Sequence, residues 1–577
     1  MYKTNRGLRA TLLAFTLPAA IGSVSGEEIF TDEAKATGLE FVYFNGMSGE
    51  FYFVENLGGG IALLDYDKDG DLDVYLTQGH MLGEGKTLSD ALFPPPQGQA
   101  LSDRLFRNDL VVDKDGTRRL HFTDVTEASG IHAPGYGMGA TAGDYDNDGW
   151  VDLYVTNHGH NQLWHNNGDG SFTEVGAKTG VDQAGWGLSG TFFDYDRDGH
   201  LDLYVVNYVH FDLDKNKKCY ALSGAQDYCG PQYFEALVDR LYHNRGDGSF
   251  EDVTERAGIA KARAPGLGVI AADFNNDGWA DLYVANDAKP NQLWINQQDG
   301  TFKDEAFLAG VAVNMEGAPE ASMGVDAADF DNDGDEDLFM THLQGETNTI
   351  YVNDGQGWFE DRTLATGLGT PSKEFTAFGT AWLDYDNDGW MDLYVANGDV
   401  RIMPMLARGG DKYPLRQTNQ LFRNLDNGRF KEVTAEAGKV FAHAAVSRGT
   451  AVGDLDNDGD TDLLVANNNG PLRLLINQAG TRNHWLGLRL VERHGRDALG
   501  AKVMIERAED PTLWRRVRSD GSYASANDPR LLVGLGQQDA VKTLRIHWPD
   551  GRRETWSGVA PDAYVTLRQG QGKEIRP

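Results

Sequence analysis

Asp144-Tyr145-Asp146-Asn147-Asp148-Gly149-Trp150-Val151-Asp152-Leu153-Tyr154-Val155 reads as a tight loop running straight into a strand. Acidic residues occupy the first, third, fifth and ninth places, glycine the sixth, and an apolar run follows at once. That is how a loop joining two strands looks. The same nine-residue pattern begins again at Asp65, Asp194, Asp273, Asp329, Asp384 and Asp454. Seven copies make the chain an array of like units.

The chemistry of this spacing is capture of a hard cation by oxygen. Four side chains can converge on one ion, the glycine permits the sharp turn, and the seventh residue offers its backbone carbonyl, a set that suits Ca²⁺ with its 6–8 oxygens. The expected ligands are Asp65, Asp67, Asp69, Asp73 and the Asp71 carbonyl in the first loop, and Asp144, Asp146, Asp148, Asp152 and the Trp150 carbonyl in the second. The third offers Asp194, Asp196, Asp198, Asp202 and the His200 carbonyl, and the fourth Asp273, Asn275, Asp277, Asp281 and the Trp279 carbonyl. In the fifth they are Asp329, Asp331, Asp333, Asp337 and the Asp335 carbonyl, and in the sixth Asp384, Asp386, Asp388, Asp392 and the Trp390 carbonyl. Asp454, Asp456, Asp458, Asp462 and the Asp460 carbonyl complete the set. An EF-hand needs a glutamate on a helix at the twelfth place, where this chain has Leu76, Val155, Val205, Val284, Met340, Val395 and Val465. An EF-hand is therefore excluded, and about seven Ca²⁺ are expected.

The loops also account for the charge. Across 577 residues, 87 acidic against 52 basic side chains give a net charge of −35. This excludes a nucleic-acid surface as the main business, while 10% aromatic residues are too many for a disordered acidic chain. Crowded carboxylates repel, so folding is expected to be linked to calcium.

A second pattern, Phe-x-Asp/Glu, follows each of the first six loops, at Phe122, Phe172, Phe250, Phe302, Phe359 and Phe430. The seventh copy, Phe30-Thr31-Asp32, stands ahead of the first loop. A third strand lies between loop and Phe unit, as in Gln162-Leu163-Trp164-His165-Asn166. Four strands per repeat and a circular offset of one strand predict an all-β fold: a seven-bladed β-propeller over residues 27–480, closed by its N-terminal strand, followed by a small C-terminal β domain over 481–577. Closure removes the open sheet edge.

The loops resemble the calcium-binding FG-GAP/VCBS repeats of integrin α-subunit propellers. The whole chain resembles the cartilage acidic protein 1 family, whose propeller is followed by an ASPIC/UnbV domain. That domain is matched in Trp485-Leu486-Gly487-Leu488-Arg489-Leu490, Leu499-Gly500-Ala501-Lys502-Val503, Arg518-Ser519-Asp520-Gly521-Ser522-Tyr523 and Ile546-His547-Trp548-Pro549-Asp550-Gly551. The resemblance implies an extracellular calcium-binding protein with adhesion or matrix roles. Residues 483–577 carry 16 basic against 12 acidic side chains, so charge could dock this domain on the acidic ring; an independently tethered cap is the alternative.

Residues 1–26 read as an export signal, with Lys3, Arg6 and Arg9 ahead of a short apolar run. No stretch is long enough for a transmembrane helix, and a secreted or periplasmic protein is expected. Cys219 and Cys229, the only cysteines, are expected to pair as a disulfide, a free reactive thiol pair being the alternative.

Repeats one, three and six are long because of insertions at 78–103, 207–239 and 397–418, all on the face opposite the acidic loops. Long loops gathered on one face of a scaffold are where binding or catalysis usually lives. His80, His158, His160, His210 and His342, with Asp287 and Asp399, fall just after the second strands and are expected around the channel mouth. They are candidates for a metal or acid–base centre, or simply the lining of a wet funnel. The expected function is binding of an extracellular protein or glycan ligand on this face; an exported polysaccharide-acting enzyme with its centre at the same mouth is the alternative.

Overall fold

The computed structural model describes residues 28–221, 223–507 and 511–575, so the leader expected at 1–26 lies outside the described residues. Each acidic loop joins the first two strands of a four-stranded antiparallel unit. In the first unit these are Ile61–Leu64, Asp73–Leu76, Arg104–Asn108 and Phe122–Asp124, side by side in chain order. Units beginning at Tyr136–Gly143, Ala184–Phe193, Gly266–Ala272, Val325–Ala328 and Ala377–Leu383 repeat that order. In the unit of Ser447–Gly453, Asp462–Asn467 and Arg473–Asn477, the fourth place is taken by Phe30–Asp32, with Phe30 opposite Asn477. First strands pack against first strands around a circle, Ile61–Leu64 lying between Ser447–Gly453 and Tyr136–Gly143. The result is an all-β, propeller-like array of four-stranded blades.

Packing explains the Phe-x-Asp/Glu motif. Phe172 is buried between neighbouring blades, against Tyr66, Tyr75 and Leu105 on one side and Leu153 and Trp164 on the other. The acidic residue two places on accepts a hydrogen bond from the backbone N–H two residues later, as Asp124 does from Thr126, Asp252 from Thr254 and Asp361 from Thr363, each at 3.0 Å. So the aromatic residue glues blades together and the carboxylate caps the turn that leaves the blade.

Beyond the ring, Leu531–Gly536, His484–Val491 and Tyr564–Arg568 form a three-stranded sheet. A five-stranded sheet runs Leu513–Arg516, Lys502–Arg507, Val541–His547, Arg553–Trp556 and Lys573–Glu574. Leu486, Leu488, Val503, Ile505, Val533 and Ile546 fill the core of this domain. It is not an independently tethered cap. Between Leu513–Arg516 and Leu531–Gly536 the chain leaves the domain and enters the centre of the ring.

This central segment is bonded to the first strand of every unit. Ala526 donates to the Ile61 carbonyl at 2.8 Å and accepts from Leu63 N–H at 3.0 Å; Ala140 N–H donates to Ala524, and Val325 N–H to Ser522. The Asp520 carboxylate accepts from Thr191 Oγ1 and from Ala271 N–H. Thr380 N–H donates to Ser522 Oγ, and Asp528 N–H to the Val452 carbonyl. At its tip, fully buried Tyr523 donates to the Leu57 carbonyl at 2.7 Å and lies edge-on to Phe378. Small residues make room for it: a Cβ at Gly60 would sit 2.5 Å from the Ala524 carbonyl.

Candidate metal centres

Two positive-φ residues bend each acidic loop. The sixth-place glycine adopts this conformation, as Gly149 does at φ 89°, and so does the fourth-place residue, as in Lys68, Asn147, Arg197, Asn276, Asn332, Asn387 and Asn457. Asparagine tolerates that region better than most side chains, which accounts for its prevalence there.

The folded loop brings its carboxylates together. Ligand atoms of Asp65, Asp67 and Asp73 lie within 4.8 Å of one another, as do those of Asp144, Asp146 and Asp152, and of Asp194, Asp196 and Asp202. The ninth carboxylate is a buried strut. Asp152 accepts from Tyr145 N–H with one oxygen and from Asn166 N–H with the other. The first-place residue accepts from the sixth-place glycine, as Asp144 does from Gly149 at 2.8 Å, leaving its other oxygen buried without a partner. Asp65, Asp194, Asp67, Asp331, Asp386 and Asp456 carry similarly orphaned Oδ1 atoms.

Burial, reinforced by neighbouring carboxylates, pushes these groups up. Asp144 and Asp454 rise to about 7, and Asp329 and Asp384 to about 8. Orphaned carboxylate oxygens converging on one point, each penalised for carrying charge alone, fit a bound divalent cation, which would supply the missing positive charge.

Two residues beside these clusters were not singled out from the sequence. His165 Nδ1 lies 3.3 Å from Asp146 and Asp152, and His243 Nδ1 lies at 3.3 and 3.2 Å from Asp196 and Asp202. Both are raised above the usual imidazole value, chiefly by the hydrogen bond to the ninth-place carboxylate. Their fourth place in the third strand was the available signal, since Arg107 and Arg423 hold it in other units.

Neighbouring loops are linked around the whole circle. The fourth-place side chain of each reaches the next: Asn147 to the Gly199 carbonyl, Asn332 to Gly389, Asn387 to Gly459, and Asn457 back to Gly70. Asn276 donates to Asp335 Oδ1 at 2.7 Å. Lys68 and Arg197 make the same step by lying over the rings of Trp150 and Trp279.

The C-terminal domain grips these junctions with cations. Arg496 bonds Asn147 Oδ1 and the Gly199 carbonyl, and Arg515 bonds Asn332 Oδ1 and the Gly389 carbonyl. Arg530 takes Asn457 Oδ1 and the Gly70 carbonyl, and Lys502 takes Asn276 Oδ1 and the Gly334 carbonyl. Arg489 pairs with Asp65 at 3.4 Å. Charge does dock the domain, chiefly through loop amides and carbonyls rather than the carboxylates themselves.

The opposite mouth is a packed aromatic cluster rather than a wet funnel. Phe53, Trp186, Tyr208 and Phe211 close it from outside and Tyr523 from within. The histidines form no shared centre, for most rings have local partners. His80 Nδ1 meets the Met81 carbonyl, His158 Nε2 the Phe211 carbonyl and His160 Nδ1 the Asp182 carbonyl. His342 is buried against Ser322, and burial holds it down at about 4. His210 is exposed. Asp287 accepts from Tyr208, and Asp399 from Thr376 and the Val400 and Arg401 N–H groups.

The three insertions do meet on that face. Ile402 N–H donates to Asp227 at 3.3 Å and the rings of Phe93 and Tyr413 are 4.9 Å apart, while Tyr228 of the second insertion donates to Glu55, outside the insertions, at 2.6 Å. Cys219 and Cys229 are joined in a disulfide.

Two family models match the repeats and the C-terminal domain. The FG-GAP-like repeat family model matches residues 144–205, 212–284, 273–340, 329–395 and 407–465, and that of ASPIC and UnbV matches 491–574. The chain is similar to cartilage acidic protein 1 of Mus musculus, at 28% identity over 315 residues, 54% of this chain and 45% of the relative. To the Xenopus tropicalis protein of that name the identity is 26% over 340 residues, covering 58% and 49%. The chain spans about half the length of these relatives. Among solved structures, a lectin from Burkholderia pseudomallei aligns over 74% of this chain and 97% of its own, at 10% identity and a TM-score of 0.41.

Proposed function

Because the chain belongs to the FG-GAP-like repeat family and carries an ASPIC and UnbV domain, we propose that it is an exported, calcium-loaded, seven-bladed propeller that binds an extracellular protein or glycan on its inserted face. The observation that carries the reading is where the C-terminal domain sits. It lies over the acidic loops and fills the channel, so the face built from the insertions is the broad surface left free. That face presents Tyr220, Tyr233 and Met405, each more than half exposed, on a scaffold held by the disulfide. Exposed aromatic residues on a rigid support are favoured anchors for a partner. The disulfide supports an oxidising compartment. Among the described residues, no helix is long and apolar enough to cross a membrane.

The test is a screen of the calcium-loaded protein against immobilised matrix proteins and a glycan array, repeated with Tyr220→Ser/Tyr233→Ser. A ligand whose binding falls at least tenfold in the variant, with calcium content unchanged, supports the reading. Equal binding by both proteins would place the working surface elsewhere.

A further inference from the structure

A cavity of about 530 Å³ lies between the C-terminal domain and the third, fourth and fifth acidic loops. It falls within the range of small-molecule sites, about 300–1,000 Å³. Its propeller wall includes Glu336, and its other wall carries Trp514, Arg516 and Asp520. Asn276, Asp277 and Arg553 are exposed at its edge, so it communicates with solvent.

The polar groups of this cavity are incompletely satisfied. Arg516 is buried, and its Nη1 donates to the Ala271 carbonyl, but Nε and Nη2 make no hydrogen bond. Nε faces Glu336 as an ion pair at 3.4 Å. Asp520 Oδ1 pairs with Arg516 Nη1 at 3.6 Å, and Glu336 Oε2, also buried, accepts no hydrogen bond. Neither acid is among the expected calcium ligands, since Glu336 occupies the eighth place of its loop and Asp520 lies in the channel segment. Unmet buried donors and acceptors each cost about 1–3 kcal/mol, and here Arg516 Nη2 and Glu336 Oε2 are one of each, on residues that line the same space.

We infer that this cavity binds a saccharide ring through its hydroxyl groups. A hydroxyl both donates and accepts, so adjacent hydroxyls can serve Glu336 and Asp520 as donors and Arg516 as acceptors. A bare anion brings acceptors only and would meet the two carboxylates unfavourably. Half-buried Trp514, with Lys502 Nζ 5.3 Å from its ring centroid on one side and the His547 ring 6.2 Å away, adds an aromatic ring to the wall, whose free part can meet the C–H face of a sugar. This site is independent of the inserted face.

The test is calorimetric and fluorescence titration of the calcium-loaded full chain with glucose, galactose, N-acetylglucosamine, glucuronate, galacturonate and their short oligomers. Saturable binding by at least one probe is expected, weakened at least tenfold by Glu336→Gln and by Trp514→Leu, and unchanged in Tyr220→Ser/Tyr233→Ser. The neutral and acidic arms tell whether a carboxylate on the ring contributes. Both cavity variants are first checked for wild-type calcium content and melting temperature; Glu336→Gln, nearly isosteric, stands alone if Trp514→Leu misfolds. The inference is overturned by absence of binding across the panel, by binding that Glu336→Gln leaves unaltered, or by a crystal soaked with the tightest probe that shows water only.

Discussion

The side-chain amide of Asn108 donates to the carbonyl of Leu455, 2.8 Å away in space and 347 residues away along the chain. Equivalent bonds run from Asn166 to Tyr66, Asn244 to Tyr145, Asn296 to Tyr195, Asn353 to Phe274, Asn424 to Phe330 and Asn477 to Tyr385. The last residue of each third strand thus holds the second residue of the preceding acidic loop. Asn108→Ala leaves a buried carbonyl without its donor and is expected to cost about 1–3 kcal/mol. Urea unfolding should show the lower midpoint.

Metal content is directly measurable. Elemental analysis of gently purified protein is expected to give about seven Ca²⁺ per chain, and chelation to lower the thermal midpoint, because the crowded carboxylates lose their counter-charge. The loop holding Asn275 is expected to empty first, having one carboxylate fewer. Two or fewer ions per chain would refute the seven-site reading.

Tyr523 locks the C-terminal domain into the ring. Tyr523→Ala is expected to cost about 3–5 kcal/mol, as for other large buried aromatic truncations. Scanning calorimetry of the wild type should show ring and C-terminal domain melting together. A separate, earlier transition for the C-terminal domain in the wild type would contradict the coupling.

Glu55 should make stability depend on pH. Burial pushes its carboxyl up to about 8 from an ordinary 4.5, against the lowering hydrogen bond from Tyr228. The folded chain therefore holds a proton that the unfolded chain releases. Glu55's contribution is complete below about pH 4.5 and is lost as pH rises to about 8. Glu55→Gln is expected to flatten the loss of stability between those pH values, read from urea midpoints at constant calcium.

The sequence made the repeats legible because each carries its own short-range signals. Phe30-Thr31-Asp32 announces a strand belonging to the final unit, and the acidic spacing announces the loop. The channel segment gives no such signal. Arg518 to Asn527 has no strand alternation, and its partners, from Leu57 to Val452, are distant in sequence. His165 and His243 were hidden for a similar reason: their closeness to the carboxylates follows from strand register. The opposite-face histidines share a position in the repeat, yet the aromatic packing of Phe53, Trp186 and Phe211 was invisible to a positional argument.

The pairing of Phe30–Asp32 with Arg473–Asn477 also sets a schedule for biosynthesis. At roughly 5–20 residues per second, the ribosome delivers the partner strand some 20–90 s after the first one emerges. The segment that fills the hub follows later still. Any ring folded during that interval would be an open arc with unsatisfied inner strands and a growing row of unneutralised carboxylates. If the chain is exported before it folds, arrival in a calcium-rich compartment would let both ends of the arc and the filler meet at the same time, so that ring closure and ion loading become one event.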